Sequence, residues 1–141
     1  SFVFIGDIWK NVDIARVKKI PNVYFLGKIP YQNIPEAIKQ FNVAIVPHRI
    51  SELTMSMNPL KIYEYLASGV KVVSTPVEMS AECRKWVFIA HSQYEFNQLL
   101  KKCIQTKKTV LNSDLEQFLK TRDFPTVFFA VYLFRVRKSQ V

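Results

Sequence analysis

The stretch Asn58-Pro-Leu-Lys-Ile-Tyr-Glu-Tyr-Leu-Ala-Ser-Gly69, running on into Val70-Lys-Val-Val-Ser-Thr75, carries both ends of a helix and the start of a buried strand. Asn58 is a favoured N-cap residue, and Pro59 suits the first helical position, where a backbone N–H has no partner to lose. Gly69 is the expected stop, because the residue just past a helix end adopts positive φ most easily as glycine. Ile62, Tyr65 and Leu66 fall on the face assigned to the core. Lys61 and Glu64, three residues apart, share the other face.

Outward from this segment, short apolar blocks recur at Phe2–Ile5, Val23–Leu26, Val43–Val46, Val70–Val73 and Val87–Ala90, rich in β-branched and aromatic residues. Continuous rather than alternating runs suit strands covered on both faces, as in a parallel sheet. Helical patterns lie between them at Val12–Lys19, Ile34–Phe41, Pro59–Ser68 and Gln93–Ile104. This alternation implies right-handed crossovers and an α/β domain, a parallel sheet with helices on both faces, over residues 1–105. The opening Ser1-Phe-Val-Phe-Ile-Gly6 reads as a strand already under way, so a preceding domain is expected.

Beyond Ile104 the pattern weakens. Lys107–Asn112 reads as a turn and Asn112–Lys120 as a short helix capped by Asn112 or Ser113. Phe124–Val136 is an apolar stretch whose end carries the cations Arg135, Arg137 and Lys138. Residues 106–141 are therefore expected to form a helical tail, packed on the domain or on a partner domain. Its basic, aromatic end would also suit a peripheral contact with an anionic membrane. The run Phe124–Phe134 has 11 residues, well short of the roughly 20 needed to span a bilayer.

Composition narrows the function classes. At 141 residues, 49% hydrophobic and 22% charged, the chain suits one folded domain, and only three glycines and seven prolines exclude a low-complexity reading. Cys83 and Cys103 form no CxxC pair, and His48 and His91 fit no zinc spacing, so no metal is expected and a reducing cytoplasmic compartment is. The net charge of +9 calls for an anionic partner or a solvated basic surface. Many of the lysines, such as Lys18, Lys19, Lys39, Lys101, Lys102, Lys107 and Lys108, fall on exposed helix faces, and on charge alone the two readings stand level. A nucleic-acid module would want basic and aromatic residues interleaved on one surface. Tyr24, Phe25 and Tyr31 are better explained by strand and turn packing, so no nucleic-acid partner is assigned.

The chemistry gathers at the start of the Asn58–Gly69 helix, which follows the strand Val43–Val46 through the loop Pro47–Met57. In open α/β sheets ligands bind beyond the carboxyl ends of the strands. Free N–H groups at a helix start favour a phosphate. Lys61 puts a full positive charge in the first turn, where an acidic residue is normally preferred, and a bound anion would compensate it. Glu64, as an acceptor-only carboxylate, can receive both vicinal hydroxyls of a ribose. On spacing alone, a surface Lys–Glu pair worth about 0.2–0.5 kcal/mol stands level with that reading. His48, at the strand end, borders a bound ligand or is an ordinary loop histidine. Arg49 is a phosphate clamp or, the favoured reading, a solvated surface residue; Lys71 and Lys85 are assigned to the surface, and Glu78 and Glu82 match no paired-carboxylate hydrolase site.

Asn58–Gly69 with the following Val-Lys-Val-Val-Ser-Thr75 resembles the signature of retaining GT-B glycosyltransferases with a "glycosyl transferases group 1" C-terminal domain. Asn22-Val-Tyr-Phe-Leu-Gly27, then Ile34–Phe41 and Asn42-Val-Ala-Ile-Val-Pro47, is similar to the segment that precedes that signature. The likeness runs from about residue 2 to residue 90 in consistent order. It implies a Rossmann-like fold, one half of a GT-B enzyme, that binds a nucleotide diphosphate sugar as substrate and needs no cofactor. It further implies that Glu64 holds the ribose and that Pro59, Leu60 and Lys61 face the diphosphate, with Asn58 beside them in the binding site. By the same likeness the turn at Gly27, Lys28 and Ile29 lies by the base, and the loop from His48 to Met57 lies near sugar and pyrophosphate.

The sequence departs from the family pattern where many relatives carry a second glutamate eight residues before the ribose one; here that position is Ser56, with Glu52 out of register. The catalytic residues are thus left unassigned. The cations that stabilise the departing diphosphate lie upstream in the family, as does the acceptor domain. Transfer to a bacterial cell-surface polysaccharide or lipopolysaccharide-type acceptor, at the inner membrane surface, is expected only with that N-terminal half, and the chain by itself is expected to be inactive. A sugar-nucleotide epimerase or a phosphorylase on the same fold is the alternative.

Overall fold

The computed structural model describes residues 1–8, 10, 12–106, 112–121 and 131–134. Five strands run parallel in two groups: β1 (Phe2–Ile5) with β2 (Val23–Phe25), and β3 (Val43–Val46) with β4 (Lys71–Ser74) and β5 (Val87–Ile89). A sixth, β6 (Val131–Phe134), runs antiparallel between β1 and β3, so the order across the sheet is β2-β1-β6-β3-β4-β5. Connections from β1 lead to one edge and those from β3 to the other. The strand order therefore reverses between β1 and β3, which is where open α/β sheets open a crevice beyond their carboxyl ends.

The helices follow in chain order. They are α1 (Ala15–Lys18), α2 (Ile34–Lys39) after a 3₁₀ turn at Tyr31–Asn33, α3 (Glu52–Met55), α4 (Lys61–Ala67), α5 (Ala81–Arg84), α6 (Gln93–Gln105) and α7 (Ser113–Lys120). One core cluster joins Val3, Ile5, Ala44, Val46 and Val72 of the sheet to Ile38 of α2, Ile62, Tyr63, Tyr65 and Leu66 of α4, and Leu115 of α7. A second joins Val43, Ile45 and Val73 to Leu100 and Cys103 of α6. Alternate residues of β3 feed opposite clusters, as the two-residue period of a strand requires. The expected α/β, Rossmann-like class with helices on both faces is therefore what the chain adopts.

The continuous strands are the central ones: every residue of β3 and β4 is buried, whereas β2, at an edge, exposes Tyr24. Helix α7 begins at Asn112, whose side chain accepts from the Leu115 N–H at 2.9 Å, and packs Phe118 on Tyr63 with ring centroids 6.3 Å apart. The cap at Asn112 is thus as expected.

Three expectations need correction. The tail was expected to be helical, but Val131–Phe134 is a strand; a short apolar run of aromatic and β-branched residues has no period that separates the two. The turn at 107–111, Lys107, Lys108, the rest of the stretch from Phe124, and Arg135, Arg137 and Lys138 lie outside the described residues. Lys71, assigned to the surface, is 7% exposed. Its Nζ donates to the carbonyls of Cys103 and Thr106, at 3.3 and 3.0 Å, where α6 ends. Orphan carbonyls at a helix end welcome a cation. Finally, the loop Pro47–Met57 is not irregular throughout: Ser51 and Thr54 form a reciprocal capping box that opens α3.

Candidate functional site

Helix α4 is placed by four buried side chains, Ile62, Tyr63, Tyr65 and Leu66, each worth about 1.5–3 kcal/mol when fully removed from water. Gly69 ends it at φ +71°, with Gly69 N–H donating to Leu66 and Val70 N–H to Tyr65. This is the paired bond of a Schellman stop, and positive φ is what the glycine supplies. The other end differs from expectation. Leu60, not Asn58, is the N-cap, and no side chain caps the helix. Ile62 and Tyr63 N–H groups bond three residues back to Pro59 and Leu60, so the chain enters α4 through a tight 3₁₀-like turn. Asn58 Oδ1 instead accepts from the Tyr63 hydroxyl at 3.2 Å. Its role is to tie the loop to the helix core.

That turn walls a cavity of about 370 Å³ lined by His48, Met57, Asn58, Pro59, Leu60, Lys61 and Glu64. Six of the eight residues picked from the sequence are thereby brought together, and sites for small ligands commonly have this size. Lys28 and Ile29 stand apart from this lining. Lys28 is exposed and 3.8 Å from Asp7, while Ile29 packs against the core. Their turn is nonetheless tied to the same end of the sheet, because Gly6 N–H donates to the Gly27 carbonyl at 2.9 Å. Gly27 itself has φ +69°.

Glu64 also lines a second depression of about 350 Å³, with Tyr31, Ile34, Pro35, Ile38, Lys39, Ala67 and Ser68. The carboxylate thus stands between two concavities. No signal in the sequence placed Tyr31 or Pro35 beside Glu64, since the two segments meet only once α2 and α4 pack on one sheet face. Met57 was reached only as the end of a loop.

The electrostatics are those of half-buried charges. Burial pushes the Glu64 carboxyl up, and Lys61 pulls it partly back. Burial likewise draws the Lys61 ammonium down, with Glu64 opposing. Helix α4 has only seven residues, so its dipole is weak and the full charge of Lys61 is the larger attraction for an anion. The wall therefore offers one cation and one acceptor-only carboxylate, spaced along one helix face and neither fully hydrated. That pair can hold an anion and a diol side by side.

Arg49 and Lys85 are exposed, as expected, and so are Glu78 and Glu82. Among the described residues no helix is long and apolar enough to cross a membrane.

Comparison with known proteins gives three findings. The family model described as "Glycosyl transferases group 1" matches residues 1–106. A protein of Bacillus subtilis (strain 168), named "Putative teichuronic acid biosynthesis glycosyltransferase TuaH", is 26% identical over 87 residues; the match covers 60% of this chain and 22% of that protein. The chain thus aligns with about a fifth of the length of that relative. No solved structure matches.

Proposed function

Given that the chain belongs to the glycosyl transferases group 1 family, we propose that its cavity binds the nucleotide diphosphate sugar donor of a glycosyltransferase. The observation that carries this reading is the grouping of Lys61, Glu64 and the α4 entry turn around one cavity at the carboxyl end of β3. Glu64 accepts the two ribose hydroxyls. Lys61 neutralises the diphosphate against the Pro59–Leu60 turn, and the sugar extends past His48. The base lies toward Tyr31 and Pro35 on the other side of Glu64, the side to which the Gly27-Lys28-Ile29 turn leads.

The chemistry these residues perform is binding and charge management. A diphosphate leaving group gains negative charge as the glycosidic bond breaks, and a cation held in place before that moment stabilises it without reorganisation. Lys61 is such a cation. Transfer also needs a surface that presents the acceptor opposite the donor, which we assign to an N-terminal domain of a GT-B enzyme working with retention. The acceptor we propose is a bacterial cell-surface polysaccharide precursor at the cytoplasmic face of the membrane; the name of the Bacillus relative supports this class.

A thermal-shift panel of UDP, GDP, ADP, dTDP and a short oligonucleotide tests the donor reading, because a ligand that binds only the folded state raises the melting temperature by mass action. One or more nucleoside diphosphates should raise it at millimolar concentration. A shift by the oligonucleotide alone, or by none of the five, would refute the reading.

A further inference from the structure

His48 lies where three cavities meet. It lines the cavity of about 370 Å³ with Lys61 and Glu64. It also borders a second of about 360 Å³, with Phe2, Phe4 and Lys61, and a third of about 340 Å³, with Thr75, Ser92 and Phe96. Its backbone is held from the neighbouring strand end, since Thr75 Oγ1 donates to the His48 carbonyl at 2.9 Å. The imidazole Nε2 is buried and has no hydrogen-bonding partner among the described residues. A buried polar atom of this kind calls for an explanation, such as a bound water, an ion or a functional role.

We infer that His48 takes up a proton from solvent when the donor binds, so that an imidazolium N–H bonds a diphosphate oxygen and a second cation joins Lys61. This rests on the donor-site reading above. The geometry supplies the reasons. His48 and Lys61 line two of these cavities together, so an anion held by Lys61 lies in space that the imidazole ring also walls. The charged groups that line these cavities with His48 are Lys61 and Glu64, both from α4. The β1 side presents Phe2 and Phe4, and the α6 side Ser92, Gln93, Phe96 and Asn97, none of which is charged. Arg49 follows in the chain and is exposed.

In the free protein, burial first and Lys61 second hold the imidazole below its ordinary range, so it is neutral at pH 7. A bound diphosphate carries two negative charges and reverses the sign of the local field. The imidazole pKa must then rise, and linkage fixes the direction of the effect. Between the pKa of the free and the bound protein, affinity increases as pH falls, by at most tenfold per pH unit. Outside that window it is flat. The protein thus tightens on its donor as the medium acidifies and loosens as it becomes alkaline.

The test is calorimetric titration with UDP-glucose, GDP-mannose, ADP-glucose and dTDP-glucose, at pH 6, 7 and 8 with EDTA, in two buffers of different ionisation enthalpy. In these probes the diphosphate is esterified at both ends and does not titrate in this range, so any proton taken up enters the protein. We expect uptake of up to one proton at pH 7, and several-fold tighter binding at pH 6 than at pH 8. His48→Gln should abolish both the uptake and the pH dependence. Should that variant fold poorly, imidazole NMR of the wild type serves instead. With two histidines in the chain, exposed His91 is an internal reference, and the His48 resonance should titrate at higher pH with ligand than without. Binding with no uptake, uptake that survives His48→Gln, or a His48 titration unmoved by ligand overturns the His48 role alone. Failure of all four probes to bind overturns the donor site and this inference with it.

Discussion

Replacing Glu64 by alanine should weaken nucleoside diphosphate binding by about ten- to a hundredfold without harming the fold. The carboxylate is half-buried, lines both concavities, and can accept from two vicinal hydroxyls at once. Hydrogen bonds to a charged group contribute roughly 1.5–3 kcal/mol net, and about 1.4 kcal/mol is one factor of ten in affinity. The stability side has a definite sign. Burial raises the folded-state pKa of Glu64 above its unfolded value, so the folded chain binds more protons between the two values. Ligand-free stability from this group is present below the unfolded pKa, about 4.3, and is lost as pH rises through the folded one. At pH 7 the wild type bears that cost and Glu64→Ala does not, so the variant should melt no lower than wild type at pH 7. Below about pH 4, where the wild-type carboxyl is protonated, any such gain should vanish.

The decisive assay pairs that variant with a 2′-deoxynucleotide in calorimetric titrations. Wild type should prefer the ribonucleotide, and Glu64→Ala should barely distinguish the two. This is a coupling measurement, and it separates one lost contact from general damage to the site. If Glu64→Ala binds as tightly as wild type, or keeps the same preference for ribose, Glu64 is only the helix-surface neighbour of Lys61 and the ribose assignment falls.

Further outcomes follow from the same geometry. Lys61→Met should lower nucleoside diphosphate affinity by tenfold or more while leaving the melting temperature equal or higher, since burial disfavours the ammonium it removes; a variant that melts well below wild type would show the lysine to be structural. Lys71→Ala should destabilise the chain by about 1.5–3 kcal/mol, because the carbonyls of Cys103 and Thr106 lose a charged donor, and chemical denaturation should report this with nucleotide affinity unchanged. The isolated 141-residue chain should bind donor but transfer no sugar, and robust turnover by it with any donor in a coupled assay would contradict the division of labour proposed here.

The fold was legible where local pattern and burial coincide. Val43–Val46 is a strand to the residue, because a strand covered on both faces must be apolar throughout and its neighbours Asn42 and Pro47 break the run. Helix α6 was legible for the complementary reason: Ser92 caps it at Glu95 N–H, 3.1 Å, and its Leu and Cys residues recur with helical spacing. Val131–Phe134 was not legible. Whether four aromatic and aliphatic residues become a strand depends on whether a gap between β1 and β3 admits them, and no local pattern encodes that gap. Lys71 was misread for a related reason. A lysine in Val-Lys-Val-Val looks like an outward residue, yet its aliphatic stem runs under α6 until Nζ meets the last carbonyls of that helix.

The candidate site divides along the same line. Lys61 and Glu64 were legible because one turn of one helix sets their spacing, whatever the rest of the chain does. His48 could be named but not given a role, because its environment is made by β1, β3, α4 and α6 together. The same distinction explains why the two charges tolerate their burial. Each of Lys61 and Glu64 is shifted toward its neutral form by lost water and drawn partly back by the other, so each offsets part of its partner's burial. A hydrophobic pair there would pack with less strain on the ligand-free protein. It would also have nothing to offer a diphosphate or a diol. The retained cost of two half-buried charges is therefore itself a reason to read this cavity as a binding site, because stability alone gives the fold no cause to keep them.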